Sequence, residues 1–589
     1  MIPRVRMPTH MSSLDSNSPI VPGESGAPKT GVTETLMSLI MSFVLAMTAR
    51  GFIIEGFVIP TGSMAPTLMG QHVQWTSPQT GWEYAIDANG YLGRWQLAAQ
   101  ELSKLNGRLS AIKDPEQRKK VRNRDLKRAL IARWDPMFGL TDPVERSTPE
   151  SIQPSPANGD RVIVLKSLYP FSSPDRFNVV VFKNPTDPVG PTQNFIKRLV
   201  GLPQEQLVVV DGDVFTGPLE GPPESLRVVR KPEFVQRAVW QPVYDSSFVP
   251  VELVRWEESS QSSWWGAPFT PQAGDWAIGT DRTWRTTSDQ PATLSWNHDE
   301  WPITDFNMYN VNRLPNASAA PFSRDPYPIS DIRIAGVVDP LDAREFAGTR
   351  LVMTTRGVLF EWSVKSGELE LRMSRESDGS EISSITAPFD VTRSAFEIDC
   401  WQVDQKMWLF INGTLELELP FNEWSPEERF QASYPDTTVE AYLTNPTLPR
   451  PTGPQIDWYF DGGVEAVRNV RVDRDLFYRP TMLDSANQRS QNGPFVRGLG
   501  FGSDFRNPGR LERGQYLMFG DNSAASRDGR IWGRPHPLSA QYTGDDAPFI
   551  VPQDMLIGKA FSVYWPAPLS FPGTDSRWVP NFGKLRFIR

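Results

Sequence analysis

The sequence predicts a mainly β protein built from short strands, with one apolar helix near its N-terminus. Its 589 residues include 54 prolines and 43 glycines, which are typical of many turns and short strands rather than long helices. Asn412-Gly413 lies between the alternating runs 407–411 and 414–419, and this dipeptide is the strongest short-range signal for a β-hairpin. At this length we expect two to four folded units.

Residues 33–50 are the predicted membrane anchor. Residues 36–49 carry no charge, and residues 51–54 extend the apolar stretch toward the roughly 20 residues that a span needs if Arg50 snorkels. A polar tail, residues 1–32, precedes the segment and is long for a secretory signal peptide. We therefore expect an uncleaved anchor rather than a cleaved signal.

The charges near this segment do not fix its orientation. Three cations and three anions offset one another there: Arg4, Arg6 and Lys29 against Asp15, Glu24 and Glu34.

Composition excludes several classes of function. The net charge of −9 argues against a general nucleic-acid binder. The single Cys400 excludes an internal disulfide framework and a Cys-rich metal site. The four histidines show no ligand spacing, so we predict neither a metal, nor a cofactor, nor a histidine-based triad.

Four segments carry the candidate chemistry, in a fixed order along the chain. They are residues 59–68 (IPTGSMAPTL), 159–166 (GDRVIVLK), 178–183 with 194–203 (NVVVFK and NFIKRLVGLP), and 520–533 (GDNSAASRDGRIWG).

The third segment contains a lysine in a predicted strand. Side chains alternate along a strand, so Phe195, Lys197 and Leu199 share one face and Arg198 points away from it. Burial between apolar side chains lowers the pKa of a lysine, and a general base needs a pKa near neutral. The plainer interpretation is a lysine that snorkels to solvent.

Together these segments resemble the conserved boxes of type I signal peptidases (leader peptidases). The resemblance covers residues 33–74, 158–215 and 510–566, and the family's closing strand is similar to residues 551–560. It implies a signal-peptidase-type β catalytic core. It also implies that Ser63 is the nucleophile and Lys197 the general base.

Further roles follow from the same resemblance. The oxyanion would be held by the backbone N–H of Ser63 and the hydroxyl of Thr61. Ser526 would orient the lysine, with Ser523 as the alternative. The sequence departs from the family at Gly529 and at residues 523–525. Asp528 and Arg530 would form an ion pair that holds the shape of the site. Shallow substrate pockets would be lined by Phe57, Ile59, Leu68 and Ile196.

Two long insertions separate these boxes. Residues 75–157 include a helical pattern from Trp95 to Ile112 and a second helix that starts at Asp114-Pro115 and continues to Trp134. Residues 94–133 hold twelve Lys/Arg against four Asp/Glu. This hairpin either lies on anionic lipid or is a solvated charged face.

The larger insertion, residues 216–509, contains most of the tryptophans and many short strands. Its pattern resembles a concanavalin/laminin-G type β-sandwich, jelly-roll-like in architecture, and we expect it to be a separable appendage. Glycan binding by it is a weaker hypothesis than a core role for the tryptophans. The predicted map is thus residues 1–32 (tail), 33–50 (anchor), 51–74, 158–215 and 510–589 (three parts of the catalytic core), 75–157 (basic helical insertion) and 216–509 (β-sandwich).

The predicted function is a membrane-bound serine endopeptidase that removes signal peptides from secreted preproteins after small-x-small sites. Its partners would be those preproteins, the lipid bilayer and, as a further candidate, the secretion machinery, with no nucleic acid. It would lie in the cytoplasmic (inner) membrane as a single-pass protein whose catalytic domain is extracytoplasmic. Two alternatives stay open: a repressor-type Ser/Lys self-cleaving protease, and a catalytically idle membrane scaffold that presents the β-sandwich.

Overall fold

A computed structural model describes residues 31–138, 145–151, 156–166, 168–169, 171–249, 267–286, 290–299, 301–313, 326–341, 346–390, 395–444, 450–483, 498–568 and 581–589. Most of the predicted polar tail, residues 1–30, lies outside these ranges. The chain divides into two compact units, residues 1–53 and 54–589.

The first unit contains the apolar helix. It is α-helical over Val32–Thr48 and continues as a π-helical turn over Ala49–Ile53. By length and composition, these 22 residues together are long and apolar enough to cross a membrane. The helix begins one residue before the predicted anchor and ends three residues after it.

The second unit is built mainly from antiparallel β-sheets, as the sequence predicts. The sheet that carries the catalytic boxes brings together strands from all three parts of the predicted core, so distant segments of the chain become neighbours. Its strand order is Ile54–Val58, Arg161–Leu165, Leu556–Trp565, Val179–Lys183, Asn194–Gly201, Gln515–Phe519 and Val551–Pro552, with Arg586–Phe587 paired to Leu556–Trp565.

A second, smaller sheet begins where the chain continues beyond the strand Asn194–Gly201. It contains the hairpin Glu205–Val210 and Asp213–Pro218, whose turn residues Asp211 and Gly212 both have positive φ angles, 50° and 89°. Such a turn matches the right-handed twist of two paired strands. Its strand order is Arg227–Val228, Asp213–Pro218, Glu205–Val210 and Gly509–Leu511.

The region 75–157 is less helical than predicted. Its helices are Ala88–Ala111 and Pro115–Asp125, and Asp114 caps the second by accepting a hydrogen bond from the N–H of Glu116. The predicted continuation to Trp134 is wrong, because the chain passes through a 3-10 turn, Leu126–Ala129, into the strand Ile131–Arg133. Ile131 and Trp134 instead pack in a small core against the first helix.

Strands also border these helices, in two small sheets. They are Glu83–Asp87, His72–Thr76 and Pro156–Ala157 in one sheet, and Ile131–Arg133 and Glu145–Ser147 in the other.

The large insertion forms a β-sandwich. Trp362, Trp458 and Phe360 are among the buried aromatic residues that fill the space between its two sheets. The Asn412-Gly413 hairpin is confirmed, with the strands Lys406–Ile411 and Thr414–Pro420 paired and both turn residues at positive φ.

The strand orders of the two sheets are as follows. One sheet runs Ala277–Ile278, Trp284–Arg285, Val464–Arg474, Ile332–Pro340, Phe396–Gln402, Lys406–Ile411 and Thr414–Pro420, with Gln241–Asp245 paired to Val464–Arg474. The other runs Phe269–Ala273, Ala292–Trp296, Gln455–Phe460, Gly348–Thr355, Val358–Lys365, Gly367–Arg375 and Glu381–Phe389.

Short elements complete the described chain. The α-helices are Glu233–Val239, Pro426–Ser433, Val439–Thr444 and Pro537–Thr543, and Met482–Leu483 pairs with Gly498–Leu499. The 3-10 helices, besides Leu126–Ala129, are Gly62–Met64, Pro136–Phe138, Pro149–Ser151, Pro223–Ser225, Met308–Arg313, Ser523–Ala525, Gln553–Met555 and Phe582–Lys584.

Buried ion pairs join the sandwich to the predicted catalytic core, and the expectation that the sandwich is a separable appendage stays a prediction. Asp211, in the core hairpin, contacts Arg356 at 2.8 Å and Arg429 at 3.1 Å, and all three side chains are almost fully buried. Removing the sandwich would leave Asp211 and its neighbour Asp213 without these cations, which costs several kcal/mol for a buried charge.

Candidate active site

The loop that holds Ser63 leaves the first strand of the catalytic sheet and closes in one 3-10 turn, Gly62–Met64. The N–H of Ala65 bonds to the carbonyl of Gly62 at 3.0 Å, and the N–H of Leu68 bonds to that of Met64 at 2.9 Å. Met64 and Leu68 are completely buried, whereas Ser63 between them keeps partial exposure. The apolar neighbours anchor the loop and leave the hydroxyl at the surface of the core.

Lys197 reaches this hydroxyl from another strand of the same sheet. It lies on the strand Asn194–Gly201 and is 4% exposed. Its Nζ is 2.6 Å from Ser63 Oγ and donates a second hydrogen bond to the carbonyl of Ile196 at 3.1 Å. The first distance is within hydrogen-bond range for transfer of a proton between the two groups.

The surroundings of Lys197 lower its pKa from the ordinary value of 10.5 to about 8. Burial is the largest cause, because it disfavours the ammonium form. Asp528 and Asp521 act in the opposite direction, and Arg530 adds to the lowering. A useful fraction of this lysine is therefore neutral near physiological pH and able to accept a proton.

The fourth box forms the wall next to the lysine. Asp528 and Arg530 pair through two contacts, 2.7 and 2.9 Å, and Asp528 also accepts the N–H of Gly520 at 2.9 Å. Burial raises the pKa of the Asp528 carboxyl, but Arg530 and the N–H of Gly520 outweigh it, so the net shift is downward. Asp528 is thus an anion at neutral pH and fixes the position of the box.

Arg198, which strand alternation places on the face opposite Lys197, does not reach solvent. It is fully buried and forms a two-contact ion pair with Asp521, at 2.7 and 2.8 Å. Its remaining nitrogen donates to the carbonyls of Phe177 and Arg589. Other parts of the protein cover the face of the strand opposite Lys197. The sequence of this strand alone does not predict that cover.

The structure does not show the predicted contact between Ser526 and Lys197. The Ser526 hydroxyl is buried and has no hydrogen-bond partner among the described residues. The alternative, Ser523, accepts hydrogen bonds from the N–H of Arg479 at 2.8 Å and from Arg530 at 2.7 Å. Ser523 therefore belongs to the Arg530 cluster, and a lysine-orienting role for Ser526 stays a prediction.

The other predicted site residues lie around the serine loop. Thr61 is exposed at the start of the 3-10 turn, and its side chain does not cap that turn. All four predicted pocket residues belong to one apolar cluster, in which Ile59 and Leu68 are buried while Phe57 and Ile196 are partly exposed. Of these four residues, Phe57 and Ile196 are the ones with exposed apolar surface, and a substrate pocket formed by the four stays a prediction.

A cavity of about 520 Å³ adjoins the serine loop at Pro66. Its lining comes from the core, including Met69, from the smaller insertion, including Tyr84, and from the large insertion, including Asn307 and Tyr309. The insertion therefore contributes surface next to the nucleophile loop.

Within the described residues, the group with the spacing of a metal site is Asp213, Asp331 and Asp404, whose oxygens lie within 4.8 Å of one another. Two cations occupy this cluster already. Lys231 Nζ is 2.7 Å from Asp404, and Arg429 is 3.4 Å from both Asp213 and Asp331. The cluster joins the core to the sandwich.

Sequence reasoning missed several residues that hold the serine loop. Asn522 donates its side-chain amide to the carbonyl of Gly62 at 2.8 Å and its backbone N–H to that of Ser63 at 3.1 Å. Two residues of the large insertion also take part. Asn310 forms a hydrogen bond with Asn522, and the Tyr309 hydroxyl donates one to the carbonyl of Gln71, just beyond the loop. Asn522 stands inside the fourth box and could have been singled out, whereas no local pattern marks Asn310 or Tyr309.

A serine hydroxyl within hydrogen-bond distance of a buried lysine with a lowered pKa is the arrangement that a serine nucleophile with a lysine base requires. Residues 132–217, which include Lys197, match the family model described as signal peptidase, peptidase S26. Ser63 and the fourth box lie outside the matched range.

Two curated relatives are similar to parts of the chain. One is a signal peptidase I of Pseudomonas fluorescens, 31% identical over 80 residues, which are 14% of this chain and 25% of that protein. The other is a signal peptidase I of Leptolyngbya laminosa, 35% identical over 124 residues, which are 20% of this chain and 57% of that protein. The chain thus spans a quarter and somewhat over half of the lengths of these relatives.

Solved structures similar to the chain include a carbohydrate-binding module, CBM66, from Bacillus subtilis. It is 10% identical, with a TM-score of 0.20, over 35% of this chain and 96% of that one. Sheep galectin-11 is 9% identical, with a TM-score of 0.16, over 25% of this chain and 94% of that one. At these TM-scores the likenesses carry no conclusion about the insertion.

Proposed function

We propose that this protein is a membrane-anchored serine endopeptidase that removes signal peptides from preproteins after small-x-small sites. The observation that carries the proposal is the 2.6 Å contact between Lys197 Nζ and Ser63 Oγ, with the lysine buried and its pKa near 8. The family match and the two signal peptidase I relatives support the choice of substrate class.

The chemistry is acyl transfer through these two residues. Neutral Lys197 accepts the proton of Ser63 as Ser63 Oγ attacks the scissile carbonyl carbon. The N–H of Ser63 and the hydroxyl of Thr61 stabilise the oxyanion that forms. Lys197 then returns the proton to the departing amine, and water, activated by the same lysine, hydrolyses the ester on Ser63.

The proposed substrate pocket is formed by the apolar cluster that contains Phe57, Ile59, Leu68 and Ile196. Phe57 and Ile196 are partly exposed, while Ile59 and Leu68 in the same apolar cluster are buried, which supports a shallow apolar surface as the substrate pocket. A side chain as small as alanine fits such a surface, which supports small residues at the −1 and −3 positions of the substrate.

The anchor is proposed to be the helix Val32–Ile53, crossing the cytoplasmic membrane once with the catalytic unit on the extracytoplasmic side. A cleavable signal sequence has the same length and composition, so the mass of the mature protein distinguishes the two. An intact N-terminus in the membrane fraction supports the anchor, and a mature chain that starts after residue 53 contradicts it.

The decisive test is cleavage of a preprotein by the purified full-length protein in detergent. We expect the wild type to release the signal peptide at its small-x-small site and Ser63→Ala to release none. Both proteins should show the same unfolding midpoint, because Ser63 is not a core residue. A wild type that leaves the preprotein intact would favour the idle scaffold, and cleavage of its own chain alone would favour the self-cleaving alternative.

A further inference from the structure

The residues Asn307, Met308, Tyr309 and Asn310, which we name the brace segment, connect the β-sandwich to the nucleophile loop. We propose that the brace segment positions Ser63 for attack, with Asn310 as its main positioning residue, so that the sandwich insertion is a working part of the active site. This inference rests on the proposed function for the reaction that it assists.

The first contact is a reciprocal pair of side-chain amides. Asn310 Nδ2 donates to Asn522 Oδ1 at 2.6 Å, and Asn522 Nδ2 donates to Asn310 Oδ1 at 2.9 Å. Asn522 is 2% exposed, and its amide also donates to the carbonyl of Gly62. A buried amide with both ends occupied has one orientation, so Asn310 fixes the side chain that holds the residue before Ser63.

The second contact is steric. Tyr309 is 2% exposed, and its ring lies directly against Gly62. A Cβ added at Gly62 would be 1.9 Å from Tyr309 Cε1, and the three nearest atoms all belong to Tyr309. The glycine is therefore required here by the close approach of the insertion, and the ring limits movement of the loop on that side.

Two further hydrogen bonds secure the far end of the loop. Asn307 Nδ2 donates to the carbonyl of Ala65 at 3.2 Å, and the Tyr309 hydroxyl donates to the carbonyl of Gln71 at 2.9 Å. Contacts from the brace segment thus reach the residue before Ser63, the residue two positions after it, and Gln71 further along the chain.

The brace segment is itself held by the sandwich and by the fourth box. Arg474, at the end of the strand Val464–Arg474, donates to the carbonyl of Phe306 at 3.0 Å. Asp305 pairs with Arg479, whose backbone carbonyl accepts a hydrogen bond from Arg530 at 3.0 Å. The same elements therefore set the brace segment and the Asp528–Arg530 pair.

This geometry predicts a specific kinetic effect. Loosening the loop displaces Ser63 Oγ from Lys197 without removing either group, and a displacement of about 1 Å can cost up to about 100-fold in rate. Lys197 and the partly exposed pocket residues Phe57 and Ile196 lie outside this loop and stay in place. The loss should therefore appear in kcat, with KM and the alkaline pH dependence unchanged.

The test compares Asn310→Ala with Asn310→Asp, which keeps the shape but cannot donate to Asn522, in the full-length protein in detergent. An exposed asparagine, Asn507, provides the control Asn507→Ala. We expect kcat for a preprotein to fall at least about 10-fold in both Asn310 variants, with KM within about twofold of wild type. Asn507→Ala should behave as wild type.

Hydrogen–deuterium exchange of the peptide that contains residues 59–71 gives a readout that needs no activity. We expect the N–H groups of Ala65 and Leu68 to exchange faster in the Asn310 variants and normally in Asn507→Ala. Unchanged exchange, or faster exchange with an unchanged kcat, would overturn the inference. If the wild type cleaves no preprotein while the exchange responds as expected, the proposed function fails and the brace segment remains a support of this loop.

Discussion

The interiors of the catalytic core and of the sandwich are built from different kinds of residue. Between the sheets of the sandwich lie apolar side chains such as Trp362, Phe360 and Leu371, all at most 2% exposed. The catalytic core buries Lys197 and Arg198 just as deeply, next to three further charged residues of the fourth box, Asp521, Asp528 and Arg530. Both interiors exclude water, but in the core the buried charged residues surround the candidate catalytic lysine, whereas the side chains packed between the sheets of the sandwich are apolar.

This difference shows what each region contributes. Apolar packing stabilises the sandwich without fixing any protonation state. In the core, the same exclusion of water lowers the pKa of Lys197, while the neighbouring ion pairs keep their charges because each has a partner at short range. In the core, burial therefore sets the pKa of Lys197, whereas the packed sandwich holds the brace segment in position.

The largest effect should come from removing the lysine. Lys197→Ala should lower kcat/KM for a preprotein by at least about 1,000-fold, since loss of one member of a nucleophile–base pair removes nearly the whole contribution of the pair. Lys197→Arg should be as inactive, because a guanidinium does not lose its proton near neutral pH. Steady-state cleavage assays measure both.

A substitution in the apolar interior of the sandwich serves as the control, because it should lower stability without lowering activity. Leu371→Ala, in the apolar interior, should leave the kcat of the folded protein within about twofold of wild type while costing about 2–5 kcal/mol of stability. Substantial activity in Lys197→Arg would show that the general base is another residue.

The second effect concerns stability and compares two nearly isosteric changes. Asp521→Asn leaves the fully buried Arg198 without its counter-charge, so the free energy of unfolding should fall by about 3–5 kcal/mol. Leu371→Met conserves volume in an apolar site and should cost less than about 1.5 kcal/mol. Denaturant unfolding followed by tryptophan fluorescence gives both values, and equal costs would remove the distinction between the two interiors.

The pH dependence should follow the lowered pKa of Lys197. A base must be deprotonated, and a group with a pKa of about 8 is about 1% neutral at pH 6 and half neutral at pH 8. We therefore expect kcat/KM to rise roughly 50-fold over this interval and to level off above it. A profile that is flat from pH 6 to 9 would contradict a lysine base, and Asn507→Ala should reproduce the wild-type curve.

The smallest effect should come from an ion pair at the surface. Arg510 and Glu220 are 2.6 Å apart, but their side chains are 47% and 83% exposed. Glu220→Ala should change the free energy of unfolding by less than about 1 kcal/mol, because solvent screens the pair. A cost as large as that of Asp521→Asn would mean that burial does not separate the two kinds of pair.

Much of the architecture could be predicted from local patterns. Strand alternation and the Asn412-Gly413 turn predicted the strands and the hairpin that the structure shows, because side chains on a strand alternate between its faces whatever lies around it. The apolar run near the N-terminus likewise predicted a helix long enough to cross a membrane. The second basic helix was predicted too long, since Ile131 and Trp134 gain more from burial in a tertiary core than from continuing a helix.

The sequence by itself determined the identities of Ser63 and Lys197 as candidates, since their box patterns are local and each can be read within about ten residues. Only the tertiary structure decided that their side chains meet across 134 positions, that Arg198 is buried against Asp521, and that Asn310 pairs with Asn522 across 212 positions. The physical reason is that burial, the pKa of a buried group and a close approach such as that of Tyr309 to Gly62 depend on which distant segments pack together. That choice is made by the whole chain and leaves no mark in the local pattern of any one segment.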